Sequence, residues 1–160
     1  MIDCTFENGN KAQIGLRHSV VDVLVIDNNK ILLVKRASHL LNGGKYALVG
    51  GFLERDEDTK EACKREVKEE TGYESEPILL LRIAENPDRP QEDRQNVSFV
   101  YLAKAGEKIG EKDDENSEVA WFDLDKLPPK DQFAFDHYEN IELYLRYLKE
   151  KFPLPVIGKI

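Results

Sequence analysis

Residues 51–73 read GFLERDEDTKEACKREVKEETGY, and a second glycine, Gly50, stands directly before them. Three glutamates near the end of this stretch, Glu66, Glu69 and Glu70, are spaced so that a helix places all their carboxylates on one flank. Like charges this close destabilise a helix, and a hard divalent cation such as Mg²⁺ offsets that repulsion best. On their own the glutamates would indicate a solvated acidic helix face, but the glycines at fixed positions on either side favour a helix that carries a metal site.

The order of the fixed residues in this stretch is Gly, five residues, Glu, seven residues, then Arg-Glu-apolar-x-Glu-Glu-x-Gly-apolar. It resembles the Nudix hydrolase signature at every defined position: Gly51, Glu57, Arg65, Glu66, Val67, Glu69, Glu70, Gly72 and Tyr73. Two residues depart from the usual pattern. Tyr73 is less apolar than the common aliphatic residue, and Asp56 replaces a frequent glycine.

The resemblance implies the reaction and the role of each signature residue. Nudix enzymes use Mg²⁺ or Mn²⁺ to hydrolyse a nucleoside diphosphate linked to another moiety, by attack of water on a pyrophosphate phosphorus. Glu66 and Glu70 would be the principal metal ligands, with Glu69 and the backbone carbonyl of Gly50 as further ligands. Arg65 would hold the Glu69 carboxylate in place. Glu57 would brace the loop against the helix.

The rest of the chain predicts an α+β fold, a single domain over 1–160 that matches the Nudix-type α/β/α sandwich with a mixed β-sheet. Apolar segments predict strands at 20–26, 31–35, 46–50, 77–84, 96–103 and 120–123. The signature helix is expected to begin between Asp56 and Thr59 and to end at Gly72, and a second amphipathic helix covers 136–151. Asp22 interrupts the first apolar run, and a solvent-facing or edge position is expected for it.

The composition excludes several classes of function. A net charge of −8 argues against nonspecific binding to nucleic acid or a membrane surface. The N-terminal residues lack the pattern of a signal peptide, so a cytoplasmic enzyme is expected. Cys4 and Cys63 have neither metal-ligand nor disulfide spacing, and Cys63 is expected to be a small buried residue.

The segment that follows the signature bears on the substrate. Pro87-Asp-Arg-Pro90, then Asp93-Arg94 and a Val-Ser-containing strand, resembles the same region of microbial ADP-ribose pyrophosphatases. That resemblance favours ADP-ribose or a similar nucleotide sugar as the small-molecule substrate, makes Arg89 and Arg94 candidate substrate-binding residues, and implies a homodimer.

Three alternatives remain open. The first is a nucleoside-triphosphate pyrophosphohydrolase that acts on an oxidised dNTP. The second is a catalytically weak nucleotide-binding Nudix module, against which the retention of Arg65 and all three glutamates speaks. The third is chemistry on pyrophosphate-bearing lipids, for which no apolar prenyl-binding stretch is evident.

A general base is also required, and two acidic residues before the Trp121 strand are candidates for it. Glu115 suits a mobile loop and Glu118 suits the edge of the strand, and either could complete the metal site or deprotonate water. His137 lies near a predicted helix start, where a structural role is expected.

Overall fold

The computed structural model describes residues 2–90 and 95–158. Its strands are β1 (Ile2–Thr5), β2 (Lys11–Ile14), β3 (His18–Asp27), β4 (Lys30–Arg36), β5 (Tyr46–Ala47), β6 (Val49–Phe52), β7 (Tyr73–Ala84), β8 (Asn96–Lys108), β9 (Asn116–Asp123) and β10 (Val156–Ile157). The helices are α1 (Thr59–Thr71) and α2 (His137–Glu150), and a 3₁₀ turn covers Lys130–Gln132.

The predicted mixed sheet between two helices is confirmed. The main sheet runs β10-β7-β8-β3-β4-β5, with β9 paired to β4 and β6 paired to β3. Strands β3 and β8 are parallel, whereas β7 is antiparallel to β8 and β4 is antiparallel to β3. One edge of β3 is shared, because β6 pairs with residues 20–23 and β4 with residues 25–27.

The core consists of two apolar layers, one on each face of the sheet. Val21, Val23 and Val25 point toward α1 and pack with Val67, while Leu24 points to the other face, where Ile141 of α2 lies. This alternation follows from the two-residue period of a strand. Asp22 therefore points to the α2 face. It is buried, so the expectation of a solvent-facing or edge position is wrong.

Capping residues fix where helix α1 begins and ends. Asp58 is the N-cap and accepts hydrogen bonds from the amides of Lys60 and Glu61, and the Glu61 carboxylate accepts one from the amide of Asp58. This reciprocal capping satisfies amides that have no partner within the helix. At the other end Gly72 adopts a left-handed conformation with φ of 75°. A Cβ there would lie 2.1 Å from the carbonyl oxygen of Gly110, so glycine is required.

Three further features belong to the fold. The β1–β2 hairpin was not predicted, and it forms a separate two-stranded sheet. Cys63 is buried, as expected, and burial raises the pKa of its thiol to about 12. Within the described part of the chain, neither helix has the length and apolar character needed to span a lipid bilayer.

Candidate active site

Arg65 organises the acidic face of α1. Its Nε and Nη2 donate to the two oxygens of Glu57 at 3.0 and 2.6 Å, and Nη2 also donates to the Phe52 carbonyl at 3.0 Å. Its Nη1 donates to Glu66 at 2.8 Å and to Glu69 at 3.1 Å. A guanidinium has five N–H donors, so every one of them has an acceptor here. The predicted Arg65–Glu69 contact is confirmed, and so is the bracing of Glu57, which accepts from the amide of Glu54 at 2.8 Å.

Each of the two glycines before the helix is required by a different close contact. A Cβ on Gly51 would lie 2.4 Å from Oε1 of Glu66 and 2.7 Å from Oε2, so this glycine lets the Glu66 carboxylate rest against the backbone. A Cβ on Gly50 would lie 2.0 Å from the carbonyl oxygen of Val21 on the paired strand. Close pairing of β6 with β3 therefore requires glycine at position 50, whether or not its carbonyl also binds a metal.

Glu70 is the most strongly perturbed carboxylate of the cluster. It is 6% exposed, and its Oε2 is fully buried with no hydrogen-bond partner among the described residues. Burial raises its pKa well above the usual range, the charges of Glu66, Asp113 and Glu115 raise it further, and Asn116 partly opposes the rise. The pKa of Glu66 is also raised, first by burial, while the neighbouring Arg65 lowers it. Ionising these groups together is unfavourable without added positive charge.

The loop between β8 and β9 brings two further carboxylates to this cluster. Asp113 and Glu115 both line the cleft beside α1. The amide of Asp113 donates to the Glu69 carbonyl at 3.0 Å, and the amide of Ala37 donates to the Glu115 carbonyl at 2.9 Å. Glu115 therefore lies on an anchored loop. Glu118 is exposed on β9 opposite Lys35 and is not among the residues that line the cleft.

The cleft has a volume of about 510 Å³, and the side chains that line it form two chemically different groups, which are called its acidic end and its cationic end. Its acidic end is formed by Glu66, Glu69, Asp113 and Glu115. Its other end is cationic and aromatic, and it contains Arg36, Arg89, Phe135 and His137.

Arg89 is placed in this cleft by a buried ionic network. Its Nε donates to Asp136 at 2.7 Å and its Nη2 to Asp22 at 3.1 Å, and its side chain is only 7% exposed. Arg82 donates to the same Asp136 at 3.3 Å and to Asn140 at 2.7 Å. Two arginines and two aspartates thus balance one another inside the fold. Arg94, the other predicted substrate contact, lies outside the described residues.

Asp22 remains ionised in this network. Burial alone would raise its pKa, but the charge of Arg89, the close contact with His137 and the hydrogen bond from Ser98 hold the pKa well below its usual range. His137 is oriented by two contacts. Its Nδ1 accepts from the amide of Leu48 at 2.9 Å, and its Nε2 lies 3.3 Å from Asp22. The accepting Nδ1 assigns the proton of a neutral imidazole to Nε2, which faces Asp22. The expected structural role of His137 agrees with these contacts.

Phe135 lies between two guanidinium groups. The Arg89 guanidinium carbon is 5.1 Å from its ring centroid and that of Arg36 is 5.4 Å away. Both distances suit cation–π contact. Phe135 has a φ of 53°, which is rare for a residue with a side chain. Arg36 also donates to the Leu41 carbonyl at 2.8 Å, and no carboxylate of the described residues lies within ion-pair distance of it.

The acidic end of the cleft has the donor chemistry that a hard divalent cation requires. All the side-chain atoms that it offers as metal ligands are carboxylate oxygens. Beside them, the buried Oε2 of Glu70 lacks the hydrogen bond that a buried oxygen normally accepts. Within residues 2–90 and 95–158, no three acidic, histidine or cysteine side chains are already close enough to hold an ion. In this structure Arg65 supplies the positive charge. The residues fit a divalent cation, and the individual ligands remain predictions.

Several site residues could not be found from local spacing. Asp113 lies in the acidic run around Glu115 and Glu118, and nothing in that run distinguishes the residues that face the cleft. Arg36 is the last residue of an ordinary apolar strand. Asp22 did carry a signal, because a charged residue inside an apolar run is either at an edge or paired in the interior.

Comparison with known proteins agrees with this architecture. The model of the NUDIX domain matches residues 16–144. The chain is 40% identical over 129 residues to an ADP-ribose pyrophosphatase of Methanocaldococcus jannaschii, an alignment that covers 79% of this chain and 72% of that protein. It is 32% identical over 135 residues to the human 8-oxo-dGDP phosphatase NUDT18, covering 82% of this chain but only 39% of that protein.

A solved NUDIX hydrolase from Nitrosomonas europaea has the same fold. It superposes with a TM-score of 0.77 over 92% of this chain and 81% of that chain, at 24% identity. The chain therefore belongs to the Nudix family. It is a hydrolase of that family, whose members generally use divalent metal ions and act on small nucleotide substrates.

Proposed function

We propose that this chain is a Mg²⁺- or Mn²⁺-dependent pyrophosphatase that hydrolyses ADP-ribose or a similar nucleotide sugar. The observation that carries the proposal is the 40% identity to an ADP-ribose pyrophosphatase over most of both chains. The cleft supports it chemically, because it is lined both by acidic side chains suited to a metal and by cationic and aromatic side chains. A pyrophosphate flanked by two sugars has a charged centre and neutral arms, which such a cleft can accommodate.

The roles of the chain's own residues follow from their positions. Glu66, Glu69 and Glu70, with the Gly50 carbonyl, would hold the cation, which when bound neutralises phosphate charge and activates water. Arg65 fixes two of these carboxylates. Glu115 is the preferred general base of the two sequence candidates, because it lines the cleft and lies close enough to affect Glu66 and Glu70 electrostatically.

The cationic end would bind the substrate phosphates or terminal ribose. Arg36 is the guanidinium best suited to a phosphate, because no carboxylate of the described residues pairs with it. The charge of Arg89 is already compensated by Asp22 and Asp136, so a substrate contact by Arg89 would use its stacked position against Phe135. Its substrate role, like that of Arg94, stays a prediction.

A second substrate class is supported by a separate similarity. The relation to the human 8-oxo-dGDP phosphatase keeps an oxidised nucleotide as an alternative, although this chain spans less than half of that protein. A homodimer and a cytoplasmic location also remain expectations.

The test is a metal-dependent screen of the purified protein against ADP-ribose, nucleotide sugars, diadenosine polyphosphates and normal or oxidised nucleotides. We expect ADP-ribose to give the highest kcat/KM and to yield AMP and ribose 5-phosphate. The control is Glu70→Gln, which should abolish turnover while leaving the circular dichroism spectrum unchanged. Preference for an oxidised nucleotide would refute the substrate assignment, and no turnover of any compound would favour a binding module.

A further inference from the structure

The loop between β8 and β9 is fastened to three neighbouring segments by backbone hydrogen bonds. The amide of Ile109 donates to the Gly72 carbonyl at 2.8 Å, directly after α1. Asp113 and Glu115 are anchored to Glu69 and Ala37 as described above. Glu69 is in the last turn of α1, where carbonyls have no partner within the helix. The loop therefore completes the end of the helix that carries the acidic cluster.

Lys112 adds a side-chain clamp inside this loop. Its Nζ donates to the carbonyl of Asp113 at 3.1 Å and also to the carbonyl of Asn116. Two of the three donors of the ammonium group are thus used on backbone carbonyls. Among the described residues, Lys112 has no carboxylate within ion-pair distance, so its contacts are not those of a surface ion pair. The side chain is half-buried and ties together the two ends of segment 113–116.

The clamped segment carries the carboxylates that face α1 across the cleft. Asp113 and Glu115 line the cleft, and Oδ1 of Asp113 accepts a hydrogen bond from the amide of Glu115 at 3.0 Å. The Lys112 ammonium group cross-links the backbone of this segment and places a positive charge beside its carboxylates.

We infer that Lys112 is a positioning residue for hydrolysis, which holds segment 113–116 so that Asp113 and Glu115 stay at the acidic end of the cleft. It acts through the backbone and touches no reacting atom. Lys112 lies outside the signature stretch. The inference rests on the acidic end being the metal-binding end proposed above, but it is independent of which nucleotide is the substrate.

The test compares Lys112→Met, Lys112→Arg and the control Lys108→Met. Methionine removes both donated hydrogen bonds and keeps most of the apolar stem, whereas arginine retains a cation with several donors. Lys108 is a suitable control because its side chain is 47% exposed and its one ion-pair partner among the described residues is Glu111, which is 89% exposed. Three quantities are measured: hydrogen exchange at the amides of 113–116, Mn²⁺ affinity without substrate, and kcat and KM on the best substrate of the screen.

For Lys112→Met we expect exchange in 113–116 to accelerate at least about tenfold, which corresponds to roughly 1.4 kcal/mol. Residues that hold metal ligands in place typically change metal affinity or activity by about 10- to 100-fold when they are mutated. Mn²⁺ affinity or kcat should therefore fall by that factor, while KM changes little. Lys112→Arg should keep most of the slow exchange and most of the Mn²⁺ affinity and kcat of the parent protein. Lys108→Met should match the parent protein in all three quantities.

Two results would overturn the inference. One is faster exchange in the loop with unchanged Mn²⁺ affinity and kcat, which would make Lys112 purely structural. The other is reduced kcat with unchanged exchange in 113–116, which would give Lys112 a direct role. If Lys112→Met does not fold, Lys112→Gln replaces it. Exchange and Mn²⁺ binding need no substrate, so failure of the ADP-ribose assignment leaves this test interpretable.

Discussion

Alanine substitution should affect the two adjacent glycines before α1 differently. At Gly51 it should lower activity, and at Gly50 it should lower stability. In Gly51→Ala the new Cβ would lie 2.4 Å from Oε1 of Glu66, and ordinary contact begins at 3.4 Å, so the carboxylate must move by about 1 Å. A displacement of about 1 Å in a catalytic constellation can lower the rate by about 10²-fold. The obstructing atoms belong to the end of a side chain, so the fold can adjust.

In Gly50→Ala the new Cβ would lie 2.0 Å from the Val21 carbonyl oxygen, which is backbone within a paired strand. That contact can be relieved only by separating β6 from β3. Overpacking of this kind destabilises a protein by about 1–3 kcal/mol, and about 2–4 °C of Tm is lost per kcal/mol for a chain of this size. We expect a Tm at least about 2 °C lower for Gly50→Ala, and little change for Gly51→Ala.

The assay measures Tm by calorimetry and kcat at saturating Mg²⁺ for both variants. Gly15→Ala is the matched control, because nothing lies within 4 Å of the position that its Cβ would take. If Gly51→Ala retains kcat within about twofold, or loses as much Tm as Gly50→Ala, the spatial reasoning about Glu66 is refuted.

Three further predictions concern the acidic cluster and the buried network. Arg65→Lys keeps the charge but supplies at most three donors where five are used, so kcat should fall about 10- to 100-fold in steady-state kinetics. Asp22→Asn removes a partner of a buried ion pair and should lower the free energy of unfolding at pH 7 by about 3–5 kcal/mol in urea denaturation. Because the pKa of Asp22 is lowered by folding, its contribution is complete above the unfolded value of about 3.9 and is lost as the pH falls below it. Glu115→Gln should lower kcat by about 10²-fold or more, whereas Glu118→Gln should leave it within about twofold.

Each of these has its own control. Arg146→Lys alters an exposed ion pair with Glu150 at 3.9 Å and should change neither kcat nor Tm. Equal effects at Arg65 and Arg146 would contradict the proposed role of Arg65 in holding the carboxylates of α1. For Asp22→Asn, the parent protein should lose stability between about pH 4 and 2 more steeply than the variant, and parallel curves would be inconsistent with a lowered pKa. A larger effect at Glu118 than at Glu115 would reverse the choice of general base.

The sequence predicted the parts of this molecule that depend on local spacing. The start and end of α1 follow from Asp58 and Gly72, and the shared flank of Glu66 and Glu69 follows from the helical period. Arg65 could be assigned to Glu69 for the same reason, since the two are four residues apart.

The parts that depend on distant pairing were not predicted. Asp22 and Arg89 are 67 residues apart, and only the fold shows that they meet. The choice between Glu115 and Glu118 depends on where the loop ends and β9 begins, which composition does not reveal. The β1–β2 hairpin alternates apolar and polar residues, but only over four residues in each strand, which is the lower limit of the pattern that indicates a strand.

The balanced ionic network has a consequence for how this enzyme can diverge. Asp22, Arg82, Arg89 and Asp136 are two negative and two positive buried charges that pair with one another. Loss of one member leaves an uncompensated charge inside the fold, whereas loss of an opposite pair to apolar residues can be nearly neutral. Mutational drift at this end of the cleft is therefore expected to proceed by compensated double substitutions. New substrate specificities that alter Arg89 should be reached only along those paired routes.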